Sequence, residues 1–365
     1  MTVVLIHLVF ALALTLCAEG ASAQPARQPA ASESAAIERR LTDAARRSPD
    51  SFDAQYQLAS FYVQNRRLDE ALPHLRRACA LDPANYDSGH DLALALLETG
   101  NLNEARAQIE TMIAAKDRPE LHNLLGNVYE RAENFAAAND QYQTAAHLAP
   151  TEEHIFDWGN NLLQLHAYEE AAQVFTAGIE RHPRSARMHV GIGIAQYSRG
   201  RYDEAVKSFS HAADLAPSDP RPYQFLGEMY GVAPAMGGEI TKRLAAFASA
   251  NPKNGSAQFY YAMSLWKGQS SPPDDAGMQR VEALLRQAVV LDPALAKGFL
   301  ELGILLSDQR RYKEAIPELQ RAIRLEPDVA QAHYRLAQAY QRTGQKELAD
   351  KELEIFEKLK SPPGG

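Results

Sequence analysis

The sequence predicts an all-α fold, a right-handed solenoid of stacked helix–turn–helix units. Two observations carry that prediction. The first is a recurring hinge in which a leucine or small residue and then a polar or small one precede proline. It reads Leu81-Asp82-Pro83, Leu148-Ala149-Pro150, Leu215-Ala216-Pro217, Leu291-Asp292-Pro293 and Leu325-Glu326-Pro327, with variants ending at Pro49, Pro183 and Pro252. Successive prolines lie 34, 67, 33, 34, 35, 41 and 34 residues apart, and 67 is two periods with one proline missing. A period near 34 belongs to helical-pair repeats. The second observation is the pattern inside each period. Leu58-Ala59 and Tyr62 form one apolar stripe at helical spacing, and Ala71, Leu75, Ala78 and Leu81 form another before Pro83. One such pair cannot bury both stripes, so neighbours must stack.

From the N-terminus, Val3–Leu16 is an apolar run too short to span a bilayer, and Ala21-Ser22-Ala23 follows as a small-x-small cleavage site. Residues 1–23 therefore read as a secretory signal peptide, although no Lys or Arg precedes the run. Cys17 offers a rival, lipid attachment, with Leu16 where such signals prefer Gly, Ala or Ser. Residues 24–34, rich in Pro and Ala, read as a flexible linker. Removing the signal takes away Glu19, moving the net charge from −8 to −7, and leaves Cys79 without a disulfide partner.

The same frame returns as Leu125-Gly126, Tyr129, Ala138, Tyr142, Ala145 and Leu148. It returns again as Leu302-Gly303, Leu306, Ala315, Leu319, Ala322 and Leu325. On these residues the chain resembles the tetratricopeptide repeat family, over roughly residues 32–358, and is similar to its exported bacterial members. The resemblance implies a capping half-repeat at 35–51 (Ile37, Leu41, Ala44, Pro49) and about nine repeats over 52–358. Residues 359–365 read as a disordered tail. The repeats begin near Phe52, Tyr86, Pro119, Glu152, Ala186, Pro220, Gly255, Ala296 and Ala330. The sixth and seventh depart from the pattern through Gly231–Gly238 and the insertion Gly268–Gly277, both between first and second helix. These are either a second contact surface, a bend, or ordinary loop drift.

No phosphate loop, nucleophile elbow or zinc signature is present, and the eleven histidines share no ligand-like spacing. Gly191-Ile192-Gly193 follows no strand and reads as close helix packing. Gly237-Gly238 before a helix reads as a turn, with an anion cradle as the alternative. No cofactor, metal or catalytic residue is expected. There is no basic stripe for nucleic acid and no further apolar run long enough for a membrane span.

By resemblance, the first helix of each repeat lines a concave groove that grips a protein or peptide. The early repeats place Asp53, Tyr56, Asp87, Asp91, Asn123, Asn127, Glu130, Phe156, Asp157 and Asn160 there, a mostly acidic set suited to a basic partner. Asn127 and Asn160 occupy equivalent places, where an amide both donates to and accepts from an extended backbone. The family's clamp for a C-terminal carboxylate needs lysines and arginines beside such asparagines, and they are missing. The later repeats place Tyr197, Phe259 and Trp266, candidate aromatic anchors. The expectation is a non-catalytic exported scaffold binding its partner in the groove, in the periplasm or secreted. The alternatives are an assembly factor for a pilus, secretion or polysaccharide-export machine, or the repeat arm of an enzyme complex.

Overall fold

The computed structural model describes residues 31–269 and 273–360. Those residues hold α-helices, one 3-10 turn and no strand. The signal, Cys17, most of the linker, residues 270–272 of the insertion and the tail from 361 lie outside them. Two boundaries move. The first helix begins at Ala31, inside the stretch read as linker, and the last runs to Lys360, inside the stretch read as tail.

The chain divides into two compact units, Met1–Arg199 and Gly200–Gly365. The first holds α1 (Ala31–Arg47), α2 (Phe52–Gln64), α3 (Leu68–Leu81), α4 (Tyr86–Glu98), α5 (Leu102–Ala115), α6 (Pro119–Arg131), α7 (Phe135–Leu148), α8 (Glu152–Gln164), α9 (Tyr168–Arg181) and α10 (Ala186–Ser198). The second holds α11 (Tyr202–Leu215), α12 (Pro220–Glu228), α13 (Gly237–Ala250), α14 (Gly255–Trp266), α15 (Asp275–Leu291), α16 (Ala296–Asp308), α17 (Tyr312–Leu325), α18 (Ala330–Arg342) and α19 (Lys346–Lys360). Within each unit a helix packs on its sequence neighbours and, between first helices, on the next but one. That nearest-neighbour pattern is the solenoid logic of stacked repeats.

Local chemistry sets each boundary. Ser51, Asn85, Thr151, Ser185, Asp219 and Asn254 cap first helices, each side chain accepting a backbone N–H of the first turn. The residue before each hinge proline is driven out of the helical region. Asp82, Ala149, His182, Ala216, Asn251, Asp292 and Glu326 accordingly sit at φ between −124° and −144° and end the second helices. In the period without its proline, Lys116 takes the corresponding extended turn, and Pro119 is spent at the start of α6 instead. Between first and second helix the chain turns through a positive φ, at Arg66, Gly100, Glu133 and His166 in the first unit.

Close approach explains the small residues. The fully buried Phe175 of α9 lies between Gly159 of α8 and Gly191 of α10, and a Cβ at either glycine would fall 2.5 Å from its ring. The irregular sixth repeat is different. Its first helix stops at Glu228 after nine residues, and a 3-10 turn that opens at Pro234 leads into α13. Gly237 there is the first residue of α13, pressed against the Gly268 carbonyl, so it serves loop packing rather than an anion. At the far end α19 carries Asp350 and Glu357 where α17 has Ile316 and Ile323. A polar outer face of that kind is how a stack ends.

Candidate functional site

Counting from the first residue of each first helix gives the site a simple frame. The second position of repeats one to four is acidic throughout: Asp53, Asp87, Glu120 and Glu153. All four are exposed, and among the described residues none of them forms an ion pair. Acidic groups favour a helix N-terminus through its dipole, which accounts for part of this row.

The fifth and sixth positions join successive repeats of the first unit. The Tyr56 hydroxyl donates to Asp91 Oδ2 at 2.8 Å, and the Asn123 amide donates to Asp157 Oδ2 at 3.0 Å. Burial, with the Asp91 bond, pushes the Tyr56 phenol up to about 12. Asp157 is hemmed in by packed helices, and this desolvation pushes its carboxyl up to about 6. The Asn123 bond and Arg187 pull the other way, while Glu153 and Glu130 add to the rise.

Several expected groove residues are not on a surface. Phe156 is 1% exposed, 5.8 Å from the Phe175 ring centroid, and Phe259 is 4% exposed against Tyr260. Both are corrections, because the fifth position is pulled inward wherever first helices close up. Asn160 is 3% exposed, and its Oδ1 has no hydrogen-bond partner among the described residues. Asn127 is half-buried and held from behind by Tyr142, whose hydroxyl lies 2.7 Å from Asn127 Oδ1 and 2.6 Å from Glu130 Oε2. One phenolic proton serves one acceptor. Turning the Asn127 amide so that Nδ2 donates to the phenol oxygen satisfies all three groups. The two asparagines are therefore equivalent in sequence and unlike in setting. Asp53 and Asp87 are exposed; Tyr197 and Trp266 are half-buried, with Lys267 Nζ 4.7 Å from a Trp266 ring centroid.

The second unit uses its charges on itself. Lys297 reaches Glu228 at 2.9 Å, sixty-nine residues away and two repeats back. Lys267 pairs with Glu301 at 2.5 Å and Arg335 with Asp308 at 3.2 Å. Tyr260 lies flat on Gly227 beside Glu228, and burial pushes its phenol and that of Tyr230 well up. A pocket of about 340 Å³ opens between α13 and α15, lined by Gly238, Thr241, Leu265, Gln269, Pro273, Gly277 and Arg280. Gln269 donates to Thr241 Oγ1 at 2.8 Å there, tying the insertion of the seventh repeat to α13.

Sequence reasoning missed the roles of Tyr142, Glu228 and Glu301, and placed Lys297 among the groove charges without its partner. The first had a signal: Gly126 stands opposite it, leaving room for the ring to reach Asn127. The lysine–glutamate pairings had none, since Lys267 reaches one repeat on to Glu301 and Lys297 two repeats back to Glu228. No three His, Cys, Asp or Glu side chains among the described residues come together to hold a metal. No helix among them is long and apolar enough to cross a membrane.

Comparison with known proteins places this architecture. Tetratricopeptide repeat family models match residues 33–86, 62–128, 156–220 and 305–344, more than half of the chain. A human protein O-mannosyl-transferase, TMTC1, is 26% identical over 166 residues, 44% of this chain and 19% of its own. A peroxisomal targeting signal receptor from Kluyveromyces lactis is 26% identical over 161 residues, 44% of this chain and 27% of its own. The chain thus spans a quarter or so of these relatives. Among solved structures, a tetratricopeptide repeat protein from Parabacteroides merdae aligns over 84% of this chain and 98% of its own at 17% identity, with a TM-score of 0.48. YrrB, described as a repeat protein with an unusual peptide-binding site, aligns over 50% of this chain and 95% of its own at 21% identity, with a TM-score of 0.41. By its repeat frame and the family models that match it, the chain belongs to the tetratricopeptide repeat family.

Proposed function

We propose that the protein is an exported, non-catalytic scaffold that binds a basic protein or peptide segment along the first helices of repeats one to four. The observation that carries this reading is the exposed row Asp53, Asp87, Glu120 and Glu153, unpaired at one position of four successive repeats. Packed helices lie about 8–10 Å apart. An extended chain rising about 3.3 Å per residue advances some three residues per step of that row. The receptor name of the Kluyveromyces lactis relative supports a recognition role. Replacing the row by Asn and Gln should slow association with the captured partner and flatten its salt dependence, because exposed charges steer encounter and are screened by ions. Unchanged association rates at low salt would remove the acidic row from the binding surface. Export is tested separately: N-terminal sequencing of the native protein should find Gln24 first, whereas a lipid-blocked Cys17 would favour the anchored form.

The match to part of a transferase supports a second reading, the repeat arm of an enzyme complex. Co-purification of the native protein with an enzyme subunit would favour it.

A further inference from the structure

We infer that the Asn123–Asp157–Asn160 cluster seats a cationic side chain, lysine or arginine, of the bound segment. This inference rests on the groove reading above and names the chemistry of one contact within it. At Asn123 and Asn160 what is left unsatisfied is acceptor capacity. Asn123 gives its Nδ2 to Asp157, which fixes the amide and leaves Oδ1 buried without a partner. One turn along α8 the Asn160 Oδ1 is likewise buried and unpartnered. Buried polar atoms normally find partners, and a place where several do not calls for an explanation.

The charges around the cluster point the same way. Asp157 faces Glu153 on its own helix and Glu130 on α6, both carboxylates. Arg187 on α10 is the cation that acts on it, but Arg187 Nε is bonded to Glu152 at 3.0 Å and the guanidinium lies over the Phe156 ring at 4.8 Å. An anionic ligand is repelled here, and a neutral donor leaves the desolvated carboxylate uncompensated. Only a group with several N–H donors and a positive charge answers both needs, and lysine and arginine side chains have both.

The test uses the full chain and a positional-scanning library of short end-blocked peptides. Wild type should enrich lysine or arginine at one position, and norleucine there should weaken binding about tenfold or more, the scale of a charge-assisted hydrogen bond. Asp157→Asn should abolish that preference, and Asn160→Ala should reduce it. Because Asp157 titrates near 6, wild type should lose the preference as pH falls through that value, a readout independent of how the variants fold. A cation preference unchanged in Asp157→Asn and at pH 5 overturns the inference. Enrichment of peptides without any cation preference overturns it while leaving the groove reading in place. If no peptide is enriched, both fall.

Discussion

The first helices of residues 31–199 and those of residues 200–360 carry polar groups at matching repeat positions and satisfy them to different degrees. In the second unit Glu228, Glu301 and Asp308 each have a lysine or arginine partner within the unit. In the first unit the acidic row has none, Asp157 is desolvated with one amide donor, and the Asn160 and Asn161 amides are incompletely bonded. Two of the second unit's pairs tie the irregular sixth and seventh repeats to the eighth. The first unit has such pairs too, Glu98–Arg131 and Glu152–Arg187, but none at the acidic row, and its incomplete polar groups cost stability. That difference favours the first unit for the recognition proposed above, since sites for a partner are where stability is given up.

The native tryptophans allow each half of the comparison to be tested by itself, because Trp158 lies in α8 and Trp266 in α14. With the other tryptophan replaced by Phe, each reports urea unfolding of its own unit. The largest effect expected is in the second. Lys297→Met leaves Glu228 without its cation and beside the buried Tyr260, and removing one partner of a fully buried pair costs about 3–5 kcal/mol. The Lys297 side chain is 38% exposed, so the expected loss is about 2 kcal/mol, read at Trp266. A Trp266 transition unmoved by this change would mean the pair is ornamental and the contrast between units false.

In the first unit the expected sign is opposite. Asp157 has a folded-state pKa raised from 3.8 to about 6, so the fold binds its proton more tightly than the unfolded chain does. Its stabilising contribution is full below 3.8 and is lost as pH rises through 6. A shift of about two units corresponds to roughly 3 kcal/mol at most, and partial exposure reduces this to about 1–2 kcal/mol. Asp157→Asn should therefore raise the Trp158 midpoint at pH 8 and change it little at pH 4, while weakening binding of a basic peptide. Loss of stability at pH 8 would show that the carboxylate holds the fold together rather than waiting for a partner.

How much of this was legible in the sequence follows from what sets each feature. Pro83 and its repeats gave the hinges because proline acts on its own neighbours, and the paired stripes gave the helices for the same local reason. The acidic positions were legible too, since position in a repeat fixes position on a helix. Burial of Phe156 and Phe259 was not, because it depends on how closely first helices approach, and that is decided by Gly159, Gly191 and Gly227 with their ring partners. Equal places for Asn127 and Asn160 did not mean equal settings either: Tyr142 stands behind the first, while Phe175, with no hydroxyl, occupies that place in the next repeat.

The smallest expected effect sharpens the contrast between regular and irregular repeats. The turn after a first helix takes a positive φ at Arg66, Gly100, Glu133, His166, Gly200, Arg310 and Gly344, in seven of the nine repeats. The sixth and seventh show no such residue among those described. Glu133 sits there at φ 56° with an exposed side chain, and its N–H donates to the Glu130 carbonyl at 2.9 Å. A side chain in that region costs about 1 kcal/mol or more, which glycine avoids. Part of the gain is returned through the freer unfolded chain. Glu133→Gly should therefore stabilise the first unit by about 0.5 kcal/mol at Trp158, and Gly100→Ala should destabilise it by about as much. The same glycine placed at Ala233, where φ is −122°, should only loosen the second unit at Trp266. If Glu133→Gly also destabilises, the turn is held by its side chain rather than by its backbone, and the regular repeats are less alike than their dihedrals.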